Sequence, residues 1–262
     1  MSMKNRREFL STTAAATAGL WISATEGTWA SNSDNDTIMA IAAHPGDGMF
    51  TMGSTVTQHI TNGGKGTFLS LSLGEKGHNS IPTTEYGRMQ QDAMEKSVNL
   101  LGAEARFLTY PDAEIPFNEE ASLAVCDEIR RAKPSIIVTH WEGSWHKDHK
   151  NCYEIVQYAI FYAGLKTLQR QQPAHYAGRL FYAENWEDMD GFQQDTYMDI
   201  TDVFEKWQSA CALFPMWRGE TGFRYNDYYR SLATVRGCLS GFTHAVALMA
   251  ASGQRVKKLR EF

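Results

Sequence analysis

From residue 37 onward the chain alternates between short apolar, β-branched runs and longer stretches in which apolar residues recur every three or four positions. The short runs lie at 37–43, 67–73, 105–110, 135–139, 180–183 and 197–200, most of them bounded by Gly, Pro, Asn or Asp, and they predict strands. Helix-period segments fall between the early ones, at 49–62, 84–101, 119–132 and 148–168. Strands and helices taking turns in this way predict an α/β, Rossmann-like fold, with a mostly parallel sheet and helices on both faces. After residue 202 the pattern becomes helical, over 202–216 and again over 227–251, which predicts a helical C-terminal part.

Residues 1–30 stand outside this pattern. Asn5-Arg6-Arg7-Glu8-Phe9-Leu10 is a twin-arginine sequence, followed by an Ala/Thr-rich stretch over 11–24 and a small-x-small end at Thr28-Trp29-Ala30. The reading is a signal peptide cleaved after Ala30, a single domain over 31–262, and export by the twin-arginine route to the periplasm or beyond. The bland alternative is an ordinary amphipathic N-terminus. No later stretch reaches the roughly 18 uninterrupted apolar residues of a membrane helix, so none is expected in the mature chain.

With 43% hydrophobic residues in 262, the chain has enough material for a sizeable core. Loss of residues 1–30 removes Lys4, Arg6, Arg7, Glu8 and Glu26, which leaves 22 basic and 28 acidic side chains and a formal charge of −6. Nucleic acid is therefore excluded as an expected partner, and the short basic run 255–260 reads as a solvated helix end. Cys126, Cys152, Cys211 and Cys238 show no C-x-x-C spacing. They read as small hydrophobes, although an exported chain has the chance to oxidise a pair.

The candidate chemistry is concentrated in two segments about a hundred residues apart, Ala43-His44-Pro45-Gly46-Asp47-Gly48 and His146-Lys147-Asp148-His149. Each follows a predicted strand, and in an open α/β sheet the carboxyl ends of strands are where ligands bind. His44, Asp47 and His149 together suit a divalent metal with open positions. The competing reading is structural: His-Pro-Gly-Asp is a good turn in which Asp47 caps the next helix, and Asp148 is a cap of its own. His59, His78, His175 and His244 lack such neighbours and read as core or surface residues.

A-H-P-x-D after the first strand, with H-x-D-H after a later one, resembles the PIG-L (LmbE-like) family of zinc-dependent N-acetylglucosaminyl de-N-acetylases. Further matches run in order: Leu73-Gly74-Glu75-Lys76-Gly77, Arg88 in a helix that ends Leu100-Leu101-Gly102, Tyr110-Pro111-Asp112, a late helix holding Lys206, Arg236-Gly237, and Ala245-Val246-Ala247-Leu248. The family usually reads A-H-P-D-D-E. Here Gly46 and Gly48 replace acids, and Val246 replaces another.

The resemblance implies Zn²⁺, or another divalent metal, on His44, Asp47 and His149, and a small-molecule or glycoconjugate substrate. It implies His146 as the acid or oxyanion-stabilising histidine, Asp148 as the residue that positions it, and Arg88 as a substrate contact. The general base belongs at Gly46, where no carboxylate stands. Glu75, Asp112 and Glu142 are the candidate replacements, each also readable as a surface or capping carboxylate. Trp141, Trp145 and Trp186 suit sugar stacking or packing equally. Three activities compete: a deacetylase with a relocated base, a hydratase or lyase of the same superfamily, and a non-catalytic metal- or carbohydrate-binding relative.

Overall fold

The computed structural model describes residues 36–188 and 190–252; the twin-arginine segment and the 255–260 run lie outside the described residues. Strand β1 (Thr37–Ala42) shows how the sheet organises the core. Its side chains alternate between two faces, as the two-residue period of a strand requires. Ile38, Ala40 and Ala42 enter one buried cluster, while Met39, Ile41 and the following Ala43 enter the other. Both faces of β1 are thus covered, which explains its unbroken apolar run.

Beside β1 lie β2 (Lys65–Ser72) and β4 (Ile136–Thr139), with β3 (Glu104–Tyr110) beyond β2 and β5 (Arg179–Ala183) beyond β4, all in parallel. Two further strands, β6 (Thr196–Asp199) and β7 (Ala245–Ala250), complete the order β3-β2-β1-β4-β5-β7-β6. β7 is antiparallel to both its neighbours. The order reverses between β1 and β4, so the crevice at their carboxyl ends is the switch point of a doubly wound sheet.

Helices α1 (Gly53–Thr61), α2 (Thr83–Leu101), α3 (Glu119–Ala132) and α4 (Lys147–Gly164) connect the parallel strands. α3 follows its sequence closely. The Asn118 side chain accepts from the Ala121 N–H at 2.8 Å, acids fill the first turn, and Arg130 and Arg131 fill the last. Arg130 is 1% exposed, and its guanidinium donates to the carbonyls of Tyr162, Ala163, Leu165, Leu168 and Gln172. It therefore ties the end of α4 to the loop before β5.

Several expectations need correction. Residues 202–216 do not form one helix but break into Thr201–Val203, α5 (Phe204–Cys211) and Pro215–Arg218. Helix α6 (Tyr225–Ser240) ends at Gly241, which adopts φ +82. Residues expected to continue it to 251 instead contain β7. A short apolar run such as Ala-Val-Ala-Leu-Met-Ala carries no period that separates strand from buried helix, and the left-handed glycine decides it. α4 stops at Gly164 rather than 168, and the first helix is preceded by a one-turn segment, Pro45–Asp47, and a π-helical turn, Gly48–Met52. Cys126, Cys152 and Cys211 are buried and Cys238 is exposed, all unpaired.

Candidate metal centre at the sheet switch point

His44 leaves β1 in extended conformation (φ −131, ψ 157), and Pro45 starts the turn that carries Asp47 back beneath it. The Asp47 Oδ2 lies 2.9 Å from His44 Nδ1 and 3.1 Å from His149 Nε2. His149 arrives from the first turn of α4, after β4. The two segments read from the sequence therefore meet at the switch point. The ligating atoms of His44, Asp47 and His149 all lie within 4.8 Å of one another.

Each histidine has a second carboxylate behind it. His44 Nε2 is 3.0 Å from Asp112 Oδ1 and 3.4 Å from Asp148 Oδ2, and His149 Nδ1 is 2.9 Å from Glu187 Oε2. Carboxylates on the far nitrogen of a histidine fix its tautomer and raise its basicity as a metal ligand. Four carboxylates thus surround two imidazoles, a surplus of negative charge that a divalent cation suits. Asp148 Oδ1 also lacks a hydrogen-bond partner despite its burial. By donor chemistry and charge, the residues present fit a metal.

The electrostatics follow from this crowding. Burial disfavours charge on His44, but Asp112, Asp148 and Asp47 outweigh it and hold its pKa well above the ordinary value. His149 is likewise lowered by burial and raised more strongly by Asp47 and Glu187, to about 9. Burial opposes the charge of Asp47, yet His149 and His44 keep its carboxyl well below the usual range. A raised histidine pKa contributes stability that is complete below about 6.5 and lost as pH rises through the folded value. The metal-free protein is accordingly expected to melt at falling temperature as pH goes from 6.5 to beyond 9, and its zinc affinity to rise over the same interval, since metal must displace those protons. Scanning calorimetry and zinc titration across that range check it; a flat melting profile would overturn the assignment.

His146 stands at the N-terminus of α4, its ring stacked on His149 at 4.4 Å between centroids. Its Nδ1 accepts the Asp148 backbone N–H at 3.2 Å. Burial, then His149 and His44, lower its pKa, so it is neutral at pH 7. With Nδ1 as acceptor, the proton sits on Nε2. The expected role of Asp148 is thereby changed: its backbone, not its carboxylate, holds His146. The carboxylate accepts from Ala113 N–H at 2.7 Å and faces His44.

These residues open into a cavity of about 210 Å³. Of the candidate replacement bases, Asp112 lines it but is committed to His44 and the Lys76 N–H. Glu75 accepts from the Asp112 N–H at 2.8 Å and so braces the β2 and β3 loops, while Glu142 is exposed and absent from the lining. At Gly46 an added Cβ would lie 2.7 Å from Met216 Sδ, so a thioether fills the space of the missing carboxylate. An added Cβ at Gly48 would touch Ala42 and Met94, which leaves an acid there no polar company.

Arg88 is exposed on α2 and is not in the lining, whereas Tyr86 and Gln90 are. Residues two apart on a helix face opposite sides and residues four apart share one, so Arg88 points away. Lys206 donates to the Leu101 carbonyl at 3.4 Å, at the end of α2. Trp141 is tied to the Asp190 carbonyl, Trp186 stacks on Phe223 at 4.4 Å, and Trp145, 55% exposed, packs 5.8 Å from His146. His59, His78, His175 and His244 all find partners elsewhere. Sequence reading missed Glu187 and the buried His140, which stacks on His149 at 4.1 Å and accepts the Ala43 N–H. Their signal was position: both follow a predicted strand.

The fold and site define a doubly wound α/β domain with a histidine-carboxylate cluster at its switch point. Residues 39–160 match the family described as PIG-L, GlcNAc-PI de-N-acetylase, so a little under half of the chain is similar to that family. Diacetylchitobiose deacetylase of Thermococcus kodakarensis is 22% identical over 223 residues, covering 79% of this chain and 80% of that protein. Among solved structures, GalB, the 4-carboxy-2-hydroxymuconate hydratase of Pseudomonas putida, superposes with a TM-score of 0.77 at 18% identity, over 86% of this chain and 99% of that one. N,N'-diacetylchitobiose deacetylase of Pyrococcus horikoshii does so with a TM-score of 0.71 at 17% identity, over 97% and 95%.

Proposed function

We propose that the chain is a metal-dependent hydrolase that removes the acyl group from an N-acetylglucosamine-type amide, with its general base lost at Gly46. The observation that carries this reading is the meeting of His44, Asp47 and His149 beside a cavity into which His146 is wired as a donor. Zinc or a similar cation on those three residues supplies Lewis acidity that polarises a carbonyl and makes water more acidic. His44 is held by Asp112 and Asp148, and His149 by Glu187. The Nε2–H of His146 donates to the oxygen on which negative charge develops when the amide is attacked, and later passes that proton to the leaving amine. Each described cavity carboxylate is paired with a histidine, so the proton lost by the attacking water passes to solvent. General-base catalysis is worth about 10²–10⁴-fold, so the reaction is expected to be slow.

The hydratase reading is disfavoured by charge. Among the described lining residues there is no lysine or arginine, while Asp47, Asp112 and Glu187 are acidic. Such a wall suits a neutral amide better than a substrate with several carboxylates. We read residues 1–30 as a twin-arginine signal and 31–262 as the exported domain. No described helix is long and apolar enough to cross a membrane.

The test is acetate release from N-acetylglucosamine conjugates by the zinc-loaded protein, with and without a chelator. Slow release that stops on chelation is expected. Zinc binding without any release would remove this substrate class and leave the binding-protein reading.

A further inference from the structure

The cavity wall contributed by α2 holds two polar atoms that the chemistry above does not use. Tyr86 is fully buried and Gln90 is 2% exposed, and both line the cavity from the same helix face. The Tyr86 hydroxyl and Gln90 Oε1 have no hydrogen-bond partner. Gln90 Nε2 donates to Met216 Sδ at 3.4 Å. A thioether only accepts, so the amide orientation is set and its oxygen is the atom left over. Burial, with Glu220 and Asp112 nearby, raises the phenol of Tyr86 to about 12, which keeps it a donor at neutral pH.

Buried polar groups without partners are costly and rare in native proteins, and two on one wall of one cavity call for a ligand that satisfies them. We propose that Tyr86 and Gln90 form a hydroxyl-recognising subsite for an uncharged, polyhydroxylated ligand. A ligand hydroxyl donates to Gln90 Oε1, and the same or a neighbouring hydroxyl accepts from the Tyr86 O–H. The proposal rests on the cavity being the substrate site and adds recognition of a part of the substrate that does not react. It also accounts for Arg88 facing outward: this wall reads the ligand with a phenol and an amide, not a guanidinium.

The experiment is calorimetric titration of the zinc-loaded full chain with N-acetylglucosamine and with N-cyclohexylacetamide, which keeps ring and amide but has no hydroxyls. Wild-type protein is expected to bind the sugar about tenfold tighter or more, and Tyr86→Phe and Gln90→Met are each expected to weaken sugar binding about 5–30-fold while leaving the cyclohexyl amide unchanged. The melting temperature of Tyr86→Phe should hold or rise, because an unpartnered hydroxyl is removed; a purely structural role would lower it. Equal affinity for the two ligands, variants that bind the sugar as wild type does, or no sugar binding at all would each overturn the subsite. Acetate release is scored separately. Binding that depends on Tyr86 without turnover leaves the subsite standing and removes the hydrolase reading, and turnover with binding indifferent to Tyr86 does the reverse.

Discussion

Zinc-loaded protein carrying Gly46→Asp together with Met216→Ala is expected to release acetate about 10²–10⁴ times faster than the wild type. The pairing matters because a Cβ at position 46 would lie 2.7 Å from Met216 Sδ and 3.4 Å from Phe50 Cε2. Gly46→Asp alone must push the thioether aside, an overpacking that costs about 1–3 kcal/mol and turns the new carboxylate from its place. Trimming Met216 clears the space. Met216→Ala by itself supplies no base and should gain nothing. Measured initial rates for the four proteins decide the matter: a double variant that binds zinc, stays folded and is no faster than wild type would show that the missing base is not what limits this site.

Replacing Arg130 by methionine is expected to lower folding stability by about 3–5 kcal/mol, because hydrogen bonds from a buried charged group to five carbonyls are lost at once. In a domain of this size that corresponds to a fall in melting temperature of about 6–20 °C. The five carbonyls that Arg130 binds come from the last turn of α4 and the loop after it. Those at a helix C-terminus carry partial negative charge, so the guanidinium is compensated without a carboxylate. Methionine fills much of the volume but removes all five hydrogen bonds; the carbonyls of Tyr162, Ala163 and Leu165 keep the N–H groups of Leu165, His175 and Leu168, while those of Leu168 and Gln172 lose their Arg130 donor. Lysine brings three donors for the five and is expected to fall in between. Urea unfolding of the three proteins tests this, and a methionine variant within about 1 kcal/mol of wild type would mean that water reaches those carbonyls.

The sheet was legible because β1 to β5 are buried on both faces or bounded by turn residues, and their order follows from helices between them. β7 was not, since its apolar run has no telling period and its partners, β5 and β6, are remote in sequence. At the site, His44, Asp47, His146 and His149 were visible as spaced pairs at strand ends. Glu187 was hidden because its meeting with His149 depends on the Ser144–Asp188 bridge between two loops. Arg88 is a different case: a motif match fixes a residue's place along α2, while the face it presents follows from the packing of the helix. Met216 could not be foreseen at all, as it reaches Gly46 across 170 residues.

The π-helical turn Gly48–Met52 holds one more residue than an α-helical turn needs, directly after Asp47. Deleting one residue there would let α1 run on as a regular helix while rotating everything before it by about 100°, one residue's share of a 3.6-residue turn. Asp47 would swing away from His44 and His149, and Met49, Phe50 and Met52 would lose their register with the core. The extra residue thus acts as a phase-setter: it lets Asp47 face His44 and His149 while Met49, Phe50 and Met52 enter the core.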